Sequence, residues 1–168
     1  VEPQDTISKY GADSLRLYLV SASSPDSDFD WDASGILSSF KFLNKVYDYF
    51  SSFKPSKSDE RVESKLNITI KEVTSLIENF KHNLAIIKIR ELFDYLSERK
   101  IDKKTTESFV KLLHPFCPHI TEEIWQKIGN KNFLSLEKWP SVDESKINEK
   151  FEKEEETIDG LVGDINNV

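Results

Sequence analysis

The sequence contains no methionine and opens on valine. A natural chain starts with Met, so an excised piece or a processed product is expected. Cysteine occurs once, at Cys117, which excludes an internal disulfide framework and most structural zinc sites. Glycine is scarce, with 5 in 168 residues, and neither a glycine-rich phosphate loop nor a nucleophile–base set is found. No apolar run reaches the roughly 20 residues needed to span a bilayer. The N-terminus lacks the charged, apolar and small-residue order of a signal peptide. These absences lead to the expectation of a soluble, globular protein of a reducing compartment, cytoplasmic, with no membrane partner. The length suits one domain or two small ones, with a real core.

What is present is charge, unevenly placed. The formal net charge is −7, from 23 basic and 30 acidic residues. That argues against a freestanding nucleic-acid binder of the histone or zinc-finger kind, and DNA is not an expected partner. Residues 1–32 carry two basic and seven acidic side chains, and residues 141–168 carry three and nine. Residues 33–140 carry eighteen and fourteen, so a mildly basic middle lies between two acidic ends. The acidic C-terminal run reads as a solvated face.

The hydrophobic period is helical nearly throughout. From Ser34 to Phe53, Ile36, Phe40, Leu43, Tyr47 and Phe50 are spaced by three and four. Similar stripes predict helices from Asp59 to about Phe80, from Leu84 to Leu96 and from Lys104 to Phe116. Another starts at Pro118 and is stopped by Gly129, a residue favoured just past a helix end. Asp59 and Asn83 are the expected N-caps of the second and third long helices. Asn132–Pro140 alternates enough for a short strand or an extended tail on the bundle, and a last helix is expected over Glu152–Ile165. At the front, Asp5–Tyr10 reads as one short helical turn broken by Gly11. Asp13 is placed as the cap of a second helix through Val20, with Arg16 one turn later as its ion-pair partner. Ser23–Trp31 is a loop. The expected fold class is all-α: a short helical connector and acidic loop (1–32), an antiparallel bundle of four or five helices (33–140), and an acidic extension (141–168).

Two constellations fail as chemistry. Asp26, Asp28, Asp30 and Asp32 alternate like the start of a calcium loop, but neither register supplies the glycine at its sixth position or the closing glutamate at its twelfth. His114, Cys117 and His119 are too few for zinc, since the only other histidine is His82. Cys117 lies in an apolar context without a base. No catalytic residue and no metal ligand is expected in this chain. Pro115 and Pro118 would end one helix and preset the next, with Thr121, Glu122 and Glu123 in its first turn. Trp125 and Trp139 read as core or edge packing.

A third constellation is more specific. Glu2-Pro3, Ile7-x-Lys9-Tyr10-Gly11-Ala12-Asp13-Ser14-Leu15-Arg16-Leu17-Tyr18-Leu19, Asp28-Phe29-Asp30-Trp31 and Phe42-Leu43-Asn44-Lys45-Val46-Tyr47 resemble class I aminoacyl-tRNA synthetases of the leucine, isoleucine and valine group. The resemblance is to the stretch that follows their lysine-rich catalytic loop. About seventy residues on, His114-Pro115-Phe116-Cys117-Pro118-His119-Ile120-Thr121-Glu122-Glu123-Ile124-Trp125, with Trp139-Pro140, is similar to the same group's helical anticodon-binding domain. Asp28-Phe29-Asp30-Trp31 and the acidic tail look most like the leucine members, of the archaeal type, with the isoleucine and valine members as alternatives. A helical protein–protein interaction module is the competing reading from another class.

The resemblance implies a parent enzyme that joins leucine to its tRNA with ATP and magnesium. The chain itself would carry no cofactor and no adenylation activity, because both signature loops are absent from it. Its catalytic domain would lie in cis, and an archaeal-type enzyme would carry a further module beyond Val168. Leucine enzymes rely little on the anticodon, so the domain's title would name its fold. If the bundle meets RNA, the basic residues facing away from the apolar stripes should do it: Lys41, Asn44 and Lys45 on the first long helix, and Lys81, Lys88 and Arg90 around the third. Phosphate contacts from these would position tRNA without reading sequence.

Overall fold

A computed structural model describes residues 2–23, 28, 30–155 and 157. Seven α-helices carry the fold: α1 (Pro3–Tyr10), α2 (Ala12–Ala22), α3 (Ala33–Ser51), α4 (Glu60–Glu78), α5 (His82–Ser97), α6 (Lys103–Leu113) and α7 (Pro118–Lys127). Two 3-10 turns follow at Leu134–Leu136 and Glu144–Lys146, and residues 149–155 are helical. Among the described residues there is no strand. The all-α expectation holds.

Side-chain capping at the N-cap residue sets three of the seven helix starts. Asp32, Asp59 and Asp102 each accept a backbone N–H from the first turn of α3, α4 and α6, from Ser34 at 2.9 Å, Val62 at 2.8 Å and Thr105 at 2.7 Å. Asp59 was expected in this role; Asn83 was not confirmed in its own. α5 starts earlier, at His82, because the chain leaves α4 through a tight turn. Phe80 N–H donates to the Ile77 carbonyl at 3.0 Å and Lys81 N–H to the Leu76 carbonyl at 2.8 Å. Gly129 and Asn130 repeat the pattern after α7, donating to Gln126 at 2.9 Å and Trp125 at 3.2 Å. Both are Schellman motifs, which need a left-handed residue just past the helix. Gly129 supplies it with φ 94°, whereas Phe80 adopts φ 57°.

Residues from α2 through α7 share one core. Leu17, Val46, Val62, Val73, Leu92, Phe93, Phe109 and Ile124 are fully enclosed. At its centre the Phe93 ring meets Phe42 and Phe109, each at 5.7 Å. On α3 the inward set is Ile36, Phe42, Leu43, Val46 and Phe50; Phe40 and Tyr47, expected inward, are only half-buried. On α5, Ile86, Ile89, Phe93 and Leu96 are all buried, as the spacing predicted. α2 packs on α3 and α5, so the connector is part of the bundle.

Of the two readings of Asn132–Pro140, the extended tail on the bundle holds and the strand does not: a 3-10 turn interrupts an otherwise extended strap, Leu134 is buried and the Trp139 indole N–H donates to Thr74 Oγ1 at 2.8 Å. Two further expectations are corrected. The acidic C-terminal run is not simply solvated. Glu144 pairs with Lys71 at 3.0 Å, Glu154 with Arg61 at 2.5 Å and Glu152 with Lys65, which ties the segment along α4. Its helix begins at residue 149. Residues 156 and 158–165 of the helix expected over Glu152–Ile165, residues 166–168, and 24–27 and 29 of the acidic loop with Asp26, lie outside the described residues.

Candidate nucleic-acid interface and its clasp

α7 begins at Pro118 with Cys117 in the N-cap position. A thiol is a poor acceptor, so the N–H groups of the first turn must find an oxygen elsewhere. Asp13 supplies it from α2: its Oδ2 accepts the Ile120 N–H at 2.7 Å and its Oδ1 accepts His119 Nδ1–H at 2.8 Å. Asp13 as a whole is only 7 % exposed. This corrects the expectation that Asp13 caps its own helix. α2 follows Gly11, whose φ is 83°, and has no side-chain cap, while Asp13 sits two residues past that cap position and reaches across to α7.

Arg16 is redirected in the same way. Instead of pairing with Asp13, it donates through Nε to the Phe116 carbonyl at 3.4 Å and through Nη2 to the Pro115 carbonyl at 3.2 Å. Those carbonyls lie just past the end of α6, where a cation is favoured. Two motif regions a hundred residues apart are therefore one clasp. Asp13 completes the start of α7 and Arg16 covers the exit of α6.

The remaining motif residues are structural. The Thr121 hydroxyl donates to the Cys117 carbonyl at 2.7 Å, so it accepts from His114 Nδ1–H at 2.8 Å. Burial pulls the His114 pKa below its ordinary value, against the nearby Glu122 and Asp13. Burial also pushes the Cys117 thiol far up, which leaves little thiolate for nucleophilic work. Glu122 lies beyond the first turn of α7, contrary to expectation, and serves as a latch. Its carboxylate accepts N–H from Leu134 at 2.8 Å and Ser135 at 2.9 Å. Burial raises its pKa, but these donors outweigh burial and hold it below the usual glutamate value. Among the described residues, no three His, Cys, Asp or Glu side chains converge as a metal site would require.

The expected RNA-facing residues fall on neighbouring helices. On α3, Lys41 is exposed and has no ion pair among the described residues, and Asn44 donates to the Phe40 carbonyl at 3.0 Å. Lys45 reaches Asp94 of α5 at 2.8 Å, both well exposed, so the bond is readily exchanged for another anion. On α5, Arg90 lies over the Phe42 ring at 4.5 Å and donates to Ser39 Oγ at 3.4 Å, which makes it a packing group. Lys88 stands between Glu72 and Glu91 at 3.4 and 3.5 Å. Lys81 is exposed at the α4–α5 turn, without an ion pair among the described residues. The structure thus joins Lys45 and Arg90 along the α3–α5 seam, turns Lys88 toward α4, and leaves Lys41 and Lys81 open. Sequence reasoning missed the reach of Asp13, Arg16 and Glu122. A helix start with cysteine at the cap position was the one available hint.

Residues 59–168 match the family described as the anticodon-binding domain of tRNA ligase. The chain is similar to the leucine–tRNA ligase of Rickettsia massiliae, 42% identical over 153 residues that cover 83% of this chain and 18% of that protein. It is 33% identical to that of Petrotoga mobilis, over 88% of this chain and 21% of the other. Among solved structures, it resembles a chain of the ternary complex of Agrobacterium radiobacter K84 agnB2 LeuRS with tRNA and LeuAMS. The TM-score is 0.76 at 25% identity, covering 88% of this chain and 22% of that one. The chain spans about a fifth of the length of these relatives. All three organisms are bacteria, and the archaeal type expected from the sequence finds no support among them.

Proposed function

The chain belongs to the anticodon-binding-domain family of tRNA ligases, and on that premise we propose that it is the tRNA-contacting helical bundle of a leucine–tRNA ligase, together with the connector that leads into it. The observation that carries this reading is the likeness to leucine–tRNA ligases over 83% of the chain. The clasp supports it, because a connector bonded to both ends of the α6–α7 turn transmits the position of whatever precedes it. The bundle's work is to hold tRNA by its backbone while leucine is activated with ATP and magnesium by the rest of the parent protein, in cis and in the cytoplasm. Among the described residues no helix is long and apolar enough to cross a membrane.

Lys41 and Lys45 are the phosphate contacts of this reading. In the full-length enzyme, Lys41→Glu with Lys45→Glu raises the Michaelis constant for leucine tRNA and leaves ATP–pyrophosphate exchange intact. Each lost phosphate contact also flattens the salt dependence of tRNA binding by about one ion. Unchanged tRNA affinity in the double variant refutes these contacts. Charging of isoleucine or valine tRNA in place of leucine tRNA refutes the reading itself.

A further inference from the structure

The turn between α4 and α5 keeps a phenylalanine where glycine is the easy choice. Phe80 holds φ 57° in the same motif that uses Gly129 after α7, a conformation that bulky side chains rarely adopt. Its ring gains no core contact in exchange, being 71% exposed, while Leu84 and Ile87 beside it keep more than half of their surface covered. The ring is steadied rather than buried. It meets His82 edge-to-face at 6.0 Å, and His82 in turn meets Phe116, whose carbonyl Arg16 holds, at 6.4 Å. The next residue, Lys81, is exposed and lacks an ion pair among the described residues.

We propose that Phe80 is a stacking platform for one unpaired nucleobase of the tRNA, with Lys81 taking the adjoining phosphate. A projecting aromatic face beside an unpaired ammonium matches the two parts of a nucleotide, and single-stranded RNA is held in this way by stacking and charge together. The inference rests on the tRNA-binding reading above and adds a residue and a ligand to it.

The test uses Phe80→Gly in the full-length enzyme, because glycine relieves the left-handed backbone while removing the ring. The expected result is an unfolding midpoint equal to or above that of the parent. With it come unchanged ATP–pyrophosphate exchange and a Michaelis constant for leucine tRNA raised about tenfold, within the range for loss of one base stack. Phe80→Trp restores the parent value. A Phe80→Gly enzyme with an unchanged tRNA constant overturns the inference. So does a lowered unfolding midpoint, which would place the ring against another part of the protein. A parent enzyme that charges no leucine tRNA refutes the broader reading instead, so the two failures are distinguishable.

Discussion

Replacing Asp13 with alanine removes a helix cap that belongs to another helix. The Ile120 N–H loses its acceptor at the start of α7, in a site where Asp13 is 7 % exposed and water has little access. Loss of a capping oxygen costs about 0.5–2 kcal/mol. Loss of negative charge at a helix N-terminus costs about 0.3–1 kcal/mol more. The expected loss for Asp13→Ala is therefore about 2 kcal/mol, or roughly 4–8 °C in Tm for a domain of this size. Asp13→Asn keeps an acceptor oxygen and loses only the charge, so about half of that is expected. His119→Ala should cost under about 1 kcal/mol, because its side chain is 75% exposed and the bond to Asp13 competes with water. Denaturant unfolding followed by circular dichroism gives the three values, and amide hydrogen exchange at Ile120 reports the cap directly. The reasoning is refuted if Asp13→Ala unfolds with the parent or leaves Ile120 equally protected. It also fails if His119→Ala is as costly as Asp13→Ala, since the bond to imidazole would then matter more than the cap.

Two other substitutions have a sign fixed by geometry. Gly35→Ala would ordinarily stabilise a helix by about 1 kcal/mol. Here the new Cβ would lie 2.4 Å from Cε2 of the buried Tyr18 ring, so α2 and α3 must part and a net loss on the order of 1–3 kcal/mol is expected; an unfolding midpoint raised in the variant would contradict it. For Glu122 the folded pKa is lowered, so its contribution is complete above the ordinary value of 4.5 and is lost as pH falls through the depressed one. Glu122→Gln should thus destabilise the chain by about 1 kcal/mol at pH 7, with the gap narrowing as pH falls below 4.5 through the depressed pKa; a variant as stable as the parent at pH 7 would count against the latch.

The helices were legible because their burial is one-sided, and one-sided burial leaves a period in the sequence. α5 shows this best, with Ile86, Ile89, Phe93 and Leu96 all inward as spaced. The cap at Asp59 was legible because the acceptor and its N–H lie three residues apart. Asn83 misled because the α4–α5 turn closes through backbone bonds at Phe80 and Lys81, which leave no side-chain signature once the glycine is missing. The strap left two readings open because period-two spacing is shared by strands and by extended chain pinned at a few points, here by Glu122 and Thr74. For Asp13 and Arg16 the obvious partners were local, and the true ones lie on the far side of the fold. Residue type announced a cap and a cation correctly; distance along the chain concealed whose they were. The basic residues were legible as a set, but which are open depends on neighbours such as Asp94, Phe42 and Glu72.

The reach of Asp13 also orders events in time. It leaves the ribosome 107 residues before Ile120, an interval on the order of 5–20 s at ordinary elongation rates. Throughout that wait α2 has neither the carbonyls that Arg16 grips nor the amide that Asp13 accepts, and Leu17 has only part of its hydrophobic company. Within this segment the helices made first are thus among the last to be secured. The segment seals when α2 meets the α6–α7 turn, synthesised about a hundred residues later.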